Sequence, residues 1–268
     1  MALTRRQRAR ASRGIQYAIA LAVVLVAAFT ADWSQIGRSF FNVQVAVNLM
    51  PEVFTIALKN TIIYTALGFG LGFALGLVLA LMRLSSVAVY RIVAAAYIEF
   101  FRGLPALLVF IGVGVAVPLA FGVILDRNLS IMIALGLVGS AYIAETIRAG
   151  IQAVPRGQVE AAQSLAMSPA KTMSFIVVPQ AFRIVLPPLT NELILLTKDS
   201  SLAFFLGSTL EQQELAQFGR TALNQERSLT PVLLVGLCYL IITLPLGYLA
   251  RRLERRYGSA GMPKGAEV

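Results

Sequence analysis

Long uncharged runs organise this chain. They cover Gly14–Ala31, Asn60–Met82, Gly103–Leu125, Asn128–Ala144 and Ser228–Ala250. A helix that crosses a bilayer needs about 20 apolar residues, so each run is close to one span. A sixth stretch, Thr172–Thr197, is apolar but carries Arg183, Glu192, Pro179, Pro187 and Pro188. The pattern predicts six spanning helices, at about 15–33, 54–82, 92–120, 129–149, 173–197 and 229–250. The runs are too long for strands of a membrane barrel, and they lack the apolar–polar alternation such strands need. The predicted fold class is therefore all-α and polytopic.

Composition supports a membrane class. The chain is 57% hydrophobic with a mean hydropathy of +0.76. Charged residues make up 13%, against about 25% in soluble domains. One core of a 268-residue soluble protein cannot hide so much apolar surface. Disorder, a soluble nucleic-acid-binding domain and a disulfide-stapled secreted domain are excluded. The single Cys forms no internal disulfide, and the absence of His removes the commonest metal ligand.

The net charge of +10 matters through its placement. Fourteen Lys and Arg residues fall in segments 1–14, 83–91, 150–172 and 251–268, with Arg148 at the rim. The opposite loops hold Arg38, Arg127, Arg220 and Arg227. Positive loops stay in the cytosol, so both termini are expected inside. Trp33 then falls at the outer interface, where indole prefers to sit. A basic start before an apolar run also describes a signal peptide. A retained first helix is the reading preferred here, because small-residue cleavage sites are poor.

Within the second span, Gly70-x-Gly72 and Gly72-x-x-x-Gly76 offer a small-residue face for close helix approach. Span three contains Glu99 and Arg102, three residues apart and followed by Pro105, which should kink or break the helix. Glu145 and Arg148 repeat that spacing in span four. Both pairs read as structural ion pairs near the cytoplasmic end, because a lone charge in hydrocarbon is costly.

Segment 150–172 is too polar to insert. Pro155–Gln158 reads as a turn and Val159–Met167 as a short helix, with Ala161, Ala162, Leu165 and Ala166 on one shallow face. Ser168-Pro169 reads as an N-cap opening a second helix. A lone short helix needs a partner. The residues alone leave open whether it docks elsewhere or packs on its own bundle.

Span five reads as a helix broken by its prolines. Interrupted helices at membrane depth face protein or a water-filled cavity. Asn191, Glu192, Lys198, Asp199 and Ser200 are therefore candidates for lining or gating a translocation path. Residues 202–227 read as a re-entrant helix pair or an outer amphipathic cap, and Cys238 as a small buried hydrophobe. There is no phosphate-binding G-x-x-x-x-G-K-[ST] loop and no nucleophile–base pair, so catalytic and metal-ligating residues are both read as none.

Several motifs together carry a family likeness. They are Tyr97–Pro105, Ala141–Glu145, Arg148–Ile151, Gly157–Ala162, Pro179-Gln180-Ala181, Leu186-Pro187-Pro188, Asn191-Glu192 and Lys198–Leu202. Glu160-Ala161-Ala162-Gln163-Ser164-Leu165-Ala166 resembles the EAA loop of ABC importer membrane subunits. The chain, from about Lys59 to Arg256, resembles the polar amino acid permease family of histidine, glutamine, arginine and glutamate importers. That resemblance implies a type I importer fold over about 53–256. Residues 1–52 would add a basic N-terminus, an extra helix and an outer loop, and 257–268 a cytoplasmic tail. It implies a bacterial inner-membrane permease that is not itself an enzyme. Two ABC ATPase subunits would bind ATP and Mg, with no cofactor in this chain. A second permease copy or paralogue, a soluble amino-acid-binding protein and a polar amino acid substrate would be the other partners, and nucleic acid would not.

By the same resemblance, Gly157, Glu160, Ala161, Ala162, Leu165 and Ala166 form the coupling loop that docks on the ATPase. The family usually has Gly where this chain has Ala166, Thr where it has Leu104, and Thr where it has Ser200. Three rivals compete. An ion-coupled secondary transporter would want two inverted halves, each with a broken helix. An intramembrane enzyme would want a catalytic constellation. A same-fold permease for another solute would not carry the 97–105 and 198–202 blocks.

Overall fold

A computed structural model describes residues 5–257 of the chain. The side chains of residues 1–11 and the tail beyond Tyr257, with Lys264, lie outside the described residues. All regular structure among the described residues is helical.

The apolar runs become α1 (Arg5–Thr30), α4 (Lys59–Leu84), α8 (Arg127–Gln152), α11 (Val178–Asp199) and α13 (Thr230–Tyr257). The third predicted span is a helix pair bent by 106°: α5 (Ala88–Gly103), then α6 (Ala106–Ile111) and α7 (Val117–Phe121). Pro105 sits at the break, as its ring and missing N–H demand. The outer stretch before α4 is not a loop. It holds α2 (Trp33–Phe40) and α3 (Val43–Glu52), capped by Asp32 and Asn42, whose side chains accept from Gln35 and Val45 N–H.

The expected break in span five is absent: α11 runs unbroken through Pro187 and Pro188. Pro179 is harmless because a wide π-type turn, Met173–Val177, comes first and leaves the proline in the opening turn of α11. A second π-type turn, Gly112–Ala116, stands just before Pro118.

The centre of the bundle is α4 against α8. Gly68, Gly72 and Gly76 form one stripe of α4. A Cβ on Gly72 would lie 3.3 Å from Ser140 N and 3.4 Å from Gly136 O, so the backbones nearly touch. Gly70 is not part of this seam and faces open space. Around the pair, the outer half of the core gathers Tyr64, Phe110, Ile131, Leu135 and Leu196, and the inner half Leu79, Ile98, Ile143 and Val185. A third cluster, with Val53, Leu215, Phe218, Val235 and Cys238, lies under the outer elements. The 12–30 stretch of α1 buries nothing against the rest of the chain.

Candidate functional site

Three polar regions interrupt this apolar bundle. The first stands at the end that the charge bias assigns to the cytosol. Residues 153–172 form α9 (Arg156–Ser164) and α10 (Pro169–Thr172). The helix starts earlier than the sequence suggests. Pro155 sits at its N-cap, and Arg156–Gln158, read as a turn, are its first turn. Leu165–Met167, read as helix, instead close it. Ala166 N–H donates to Gln163 O at 2.9 Å and Met167 N–H to Ala162 O at 3.1 Å, the two bonds of a Schellman cap. That cap puts Ala166 at φ 57°, a left-handed conformation that favours glycine. Ser168 caps α10 as expected, accepting from Lys171 N–H.

This register divides the docking candidates. Ala162 is 5% exposed, and Val159 on the same helix packs against Val154, Val177 and Ala181, so these two residues root the helix in its own bundle. Gly157, Glu160, Ala161 and Ala166 face outward, and Leu165 is 79% exposed. Leu165 therefore takes no part in the core and is open to a partner. The shallow face read from spacing is thus split, with Ala162 inward and Ala161 and Leu165 outward.

The second region lies on one flank of α5, α8 and α11. Arg148 binds Glu145 through two bonds, one at 2.9 Å, and reaches Gln152 at 2.6 Å. The expected partner pair Glu99–Arg102 does not form. Arg102 instead swings to α8, where its guanidinium lies 5.7 Å from the Tyr142 ring centre. At the end of α5 both residues are exposed, so an ion pair there gains little, whereas the ring offers a contact from another helix. Arg102 also lies within Coulombic reach of Glu145 and Glu192, and Glu192 within reach of Asp199.

The five path candidates do not share one site. Glu192 and Asp199 are half-buried and belong to this flank, and Lys198 is exposed beyond them. Asn191 lines a separate cavity at the inner end. Ser200 is fully buried, its Oγ donating to Thr197 O at 2.8 Å.

The third region was not legible as a site. Residues 200–226 form a cap of two 3-10 turns and α12 (Leu215–Glu226) over the outer end. The opening turn of α4 holds it down. Asn60 donates to Glu211 O at 2.8 Å and Gln213 O at 3.0 Å, Tyr64 donates to Gln212 O at 2.9 Å, and Leu215 N–H donates to Thr61 Oγ1 at 3.0 Å. Glu214, fully buried, accepts from Ala216 N–H at 2.6 Å, Gln217 N–H at 2.7 Å and the Tyr239 hydroxyl at 3.2 Å. Burial pushes its carboxyl up to about 7, although those three donors and nearby Arg127 pull the other way. Of the two readings of this segment, the cap is the one found.

These features define a polytopic helical membrane protein with a capped outer end and a short exposed helix at its inner end. The family described as binding-protein-dependent transport system inner membrane component matches residues 72–259. The glutamate/aspartate import permease protein GltK of Escherichia coli O6:H1 is 37% identical over 236 residues, covering 84% of this chain and 97% of that protein. The inner membrane amino-acid ABC transporter permease protein YhdY of Escherichia coli strain K12 is 39% identical over 152 residues, 56% of this chain but only 41% of YhdY. A crystal structure of an amino acid ABC transporter with histidines superposes with a TM-score of 0.71 at 33% identity, covering 78% of this chain and 96% of that one. This chain belongs to that family of inner-membrane permease components and has its type I importer fold.

Proposed function

We propose that the chain is the permease subunit of an ATP-driven importer of a polar amino acid. The observation that carries the reading is α9, rooted through Ala162 and presenting Glu160, Ala161 and Leu165 to the cytosol. Two such subunits, identical or paralogous, enclose the path. Each docks one ATPase on α9, and a soluble binding protein delivers the amino acid to the outer cap. ATP and Mg belong to the ATPases, and this chain performs no chemistry of its own. Relatives named as amino acid permeases support the substrate class.

Mechanically, closing of the ATPases draws the two α9 helices together. A force applied at Leu165 passes through α9, whose Val159 packs against Val177 of the Met173–Val177 turn, and so into α11, which carries Glu192 and Asp199. Those carboxylates and Arg102 stand on the flank where a charged solute would otherwise face hydrocarbon. The energy transmitted must come from contacts that differ between inward- and outward-open states.

Co-expression with the ATPase and binding protein, followed by vesicle uptake, tests this. Uptake should need ATP and the binding protein. Glu160→Lys should abolish ATPase co-purification while membrane insertion is unchanged. Uptake without ATP, or an intact complex with Glu160→Lys, would overturn the reading.

A further inference from the structure

The inner ends of α8, α11 and α13 border an open pocket of about 320 Å³, with Arg183, Asn191 and Glu254 exposed at it, that the proposed path leaves unused. Small-molecule sites begin at about 300 Å³, so one small solute fits. Its lining includes Arg183, Pro187, Pro188, Asn191, Glu254 and Tyr257.

Charges of both signs meet at this cavity without neutralising each other. Arg183 comes from α11 and Glu254 from α13, and among the described residues neither forms a salt bridge. Arg251, Arg252 and Arg255 flank Glu254 on its own helix, and none of them pairs with it either. The double proline adds a second feature. Pro187 and Pro188 have no N–H, so the carbonyls of Arg183 and Ile184, four residues earlier, lose their helical donors. Both of those residues line the cavity. Backbone carbonyls without donors must find partners elsewhere. Asn191 contributes an amide with both a donor and an acceptor.

A guanidinium, a carboxylate and an amide complement a small zwitterion. The guanidinium binds a carboxylate in a planar fork. The Glu254 carboxylate and the Asn191 amide oxygen accept from the ammonium. We propose that this cavity is a cytosol-facing site for a free α-amino acid, separate from the Arg102–Glu192–Asp199 flank. An occupant joins α11 to α13 beside the segment leading into α9. Product accumulating inside then holds these helices together and slows further import. The proposal rests on the importer reading above.

The test uses the complete transporter in phosphatidylcholine/phosphatidylglycerol vesicles, with L-glutamate, L-glutamine and L-arginine each used alone as probe. Preloading the lumen with millimolar probe should lower the initial ATP-driven uptake rate several-fold for at least one of them. Arg183→Gln and Glu254→Gln should each remove that drop and leave uptake into empty vesicles unchanged. Equilibrium binding to the transporter without binding protein should show a saturable site lost in both variants but kept in Glu192→Gln. Arg183→Lys, which keeps the charge but not the fork, should weaken that binding several-fold. No drop with any probe, or an equal drop in the variants, overturns the proposal. So does phosphatidylethanolamine that co-purifies with the parent protein, is lost from the variants and blocks amino acid binding, since the occupant is then a lipid headgroup. Absence of ATP-driven uptake into empty vesicles is a separate result and counts against the importer reading instead.

Discussion

The two polar ends of this permease are built in opposite ways. The outer cap spends its hydrogen bonds on its own bundle: Asn60, Thr61 and Tyr64 from α4 and Tyr239 from α13 all bond residues 211–215, and Glu214 is sealed beneath them. The inner element does the reverse. Only Ala162 of the predicted docking residues is buried, and Glu160, Ala161 and Leu165 are left free. A segment whose polar groups are satisfied internally is a closure, and one that presents them is a handle. Under the proposed function, the contrast separates a part that must release from a part that must be grasped.

Acidity should act on the cap with the largest effect. The carboxyl of Glu214 moves from its ordinary 4.5 to about 7 in the folded protein. Its contribution to the cap is fully present below about pH 4.5 and is lost as pH rises through about 7. The full swing is on the order of 3 kcal/mol. Amide exchange at Ala216 and Gln217 should therefore quicken from pH 5 towards pH 8 beyond the chemical rate, and Glu214→Gln should flatten that trend. An identical trend in the variant would place the titration elsewhere.

Thr61→Val sharpens the comparison from the other side. It leaves the buried Leu215 N–H without an acceptor and should cost about 1–3 kcal/mol by thermal unfolding in nanodiscs. The same measurement on Leu165→Ser should show almost no loss, because that side chain is 79% exposed in the free subunit. Ala166→Gly relieves the left-handed backbone at the end of α9 and should stabilise the docking helix by about 1 kcal/mol, read as slower exchange of the Leu165 amide. Smallest of all is Glu145→Gln. Its pair with Arg148 is only partly shielded, at 30% and 24% side-chain exposure, so the change in melting should stay below about 1 kcal/mol.

The spans, the Pro105 break and the Glu145–Arg148 pair were all legible, because each is set by neighbours within a turn or by an unbroken apolar run. The end of α9 was misplaced because its Schellman bonds arise at Ala166, a residue whose identity gives no stop signal. Glu99–Arg102 failed because Tyr142, 40 residues away in sequence from Arg102, supplies the competing contact. The cap network was invisible for the same reason on a larger scale: Asn60 and Glu211 are 151 residues apart. Glu214 does cap α12 with its own side chain, but Glu is not among the residues that ordinarily signal an N-cap, and nothing local marks it as buried.

The glycine seam has a mechanical corollary. Where α4 and α8 meet there are hydrogens instead of side chains, and the Cβ of a substituted Gly76 would sit 2.9 Å from Ile143 Cγ2. Surfaces this close cannot slide without collision, so α4 and α8 are expected to move as one unit. Spin labels on the outer ends of α4 and α8 should then keep one separation throughout the transport cycle, while labels on α4 and α13 should not.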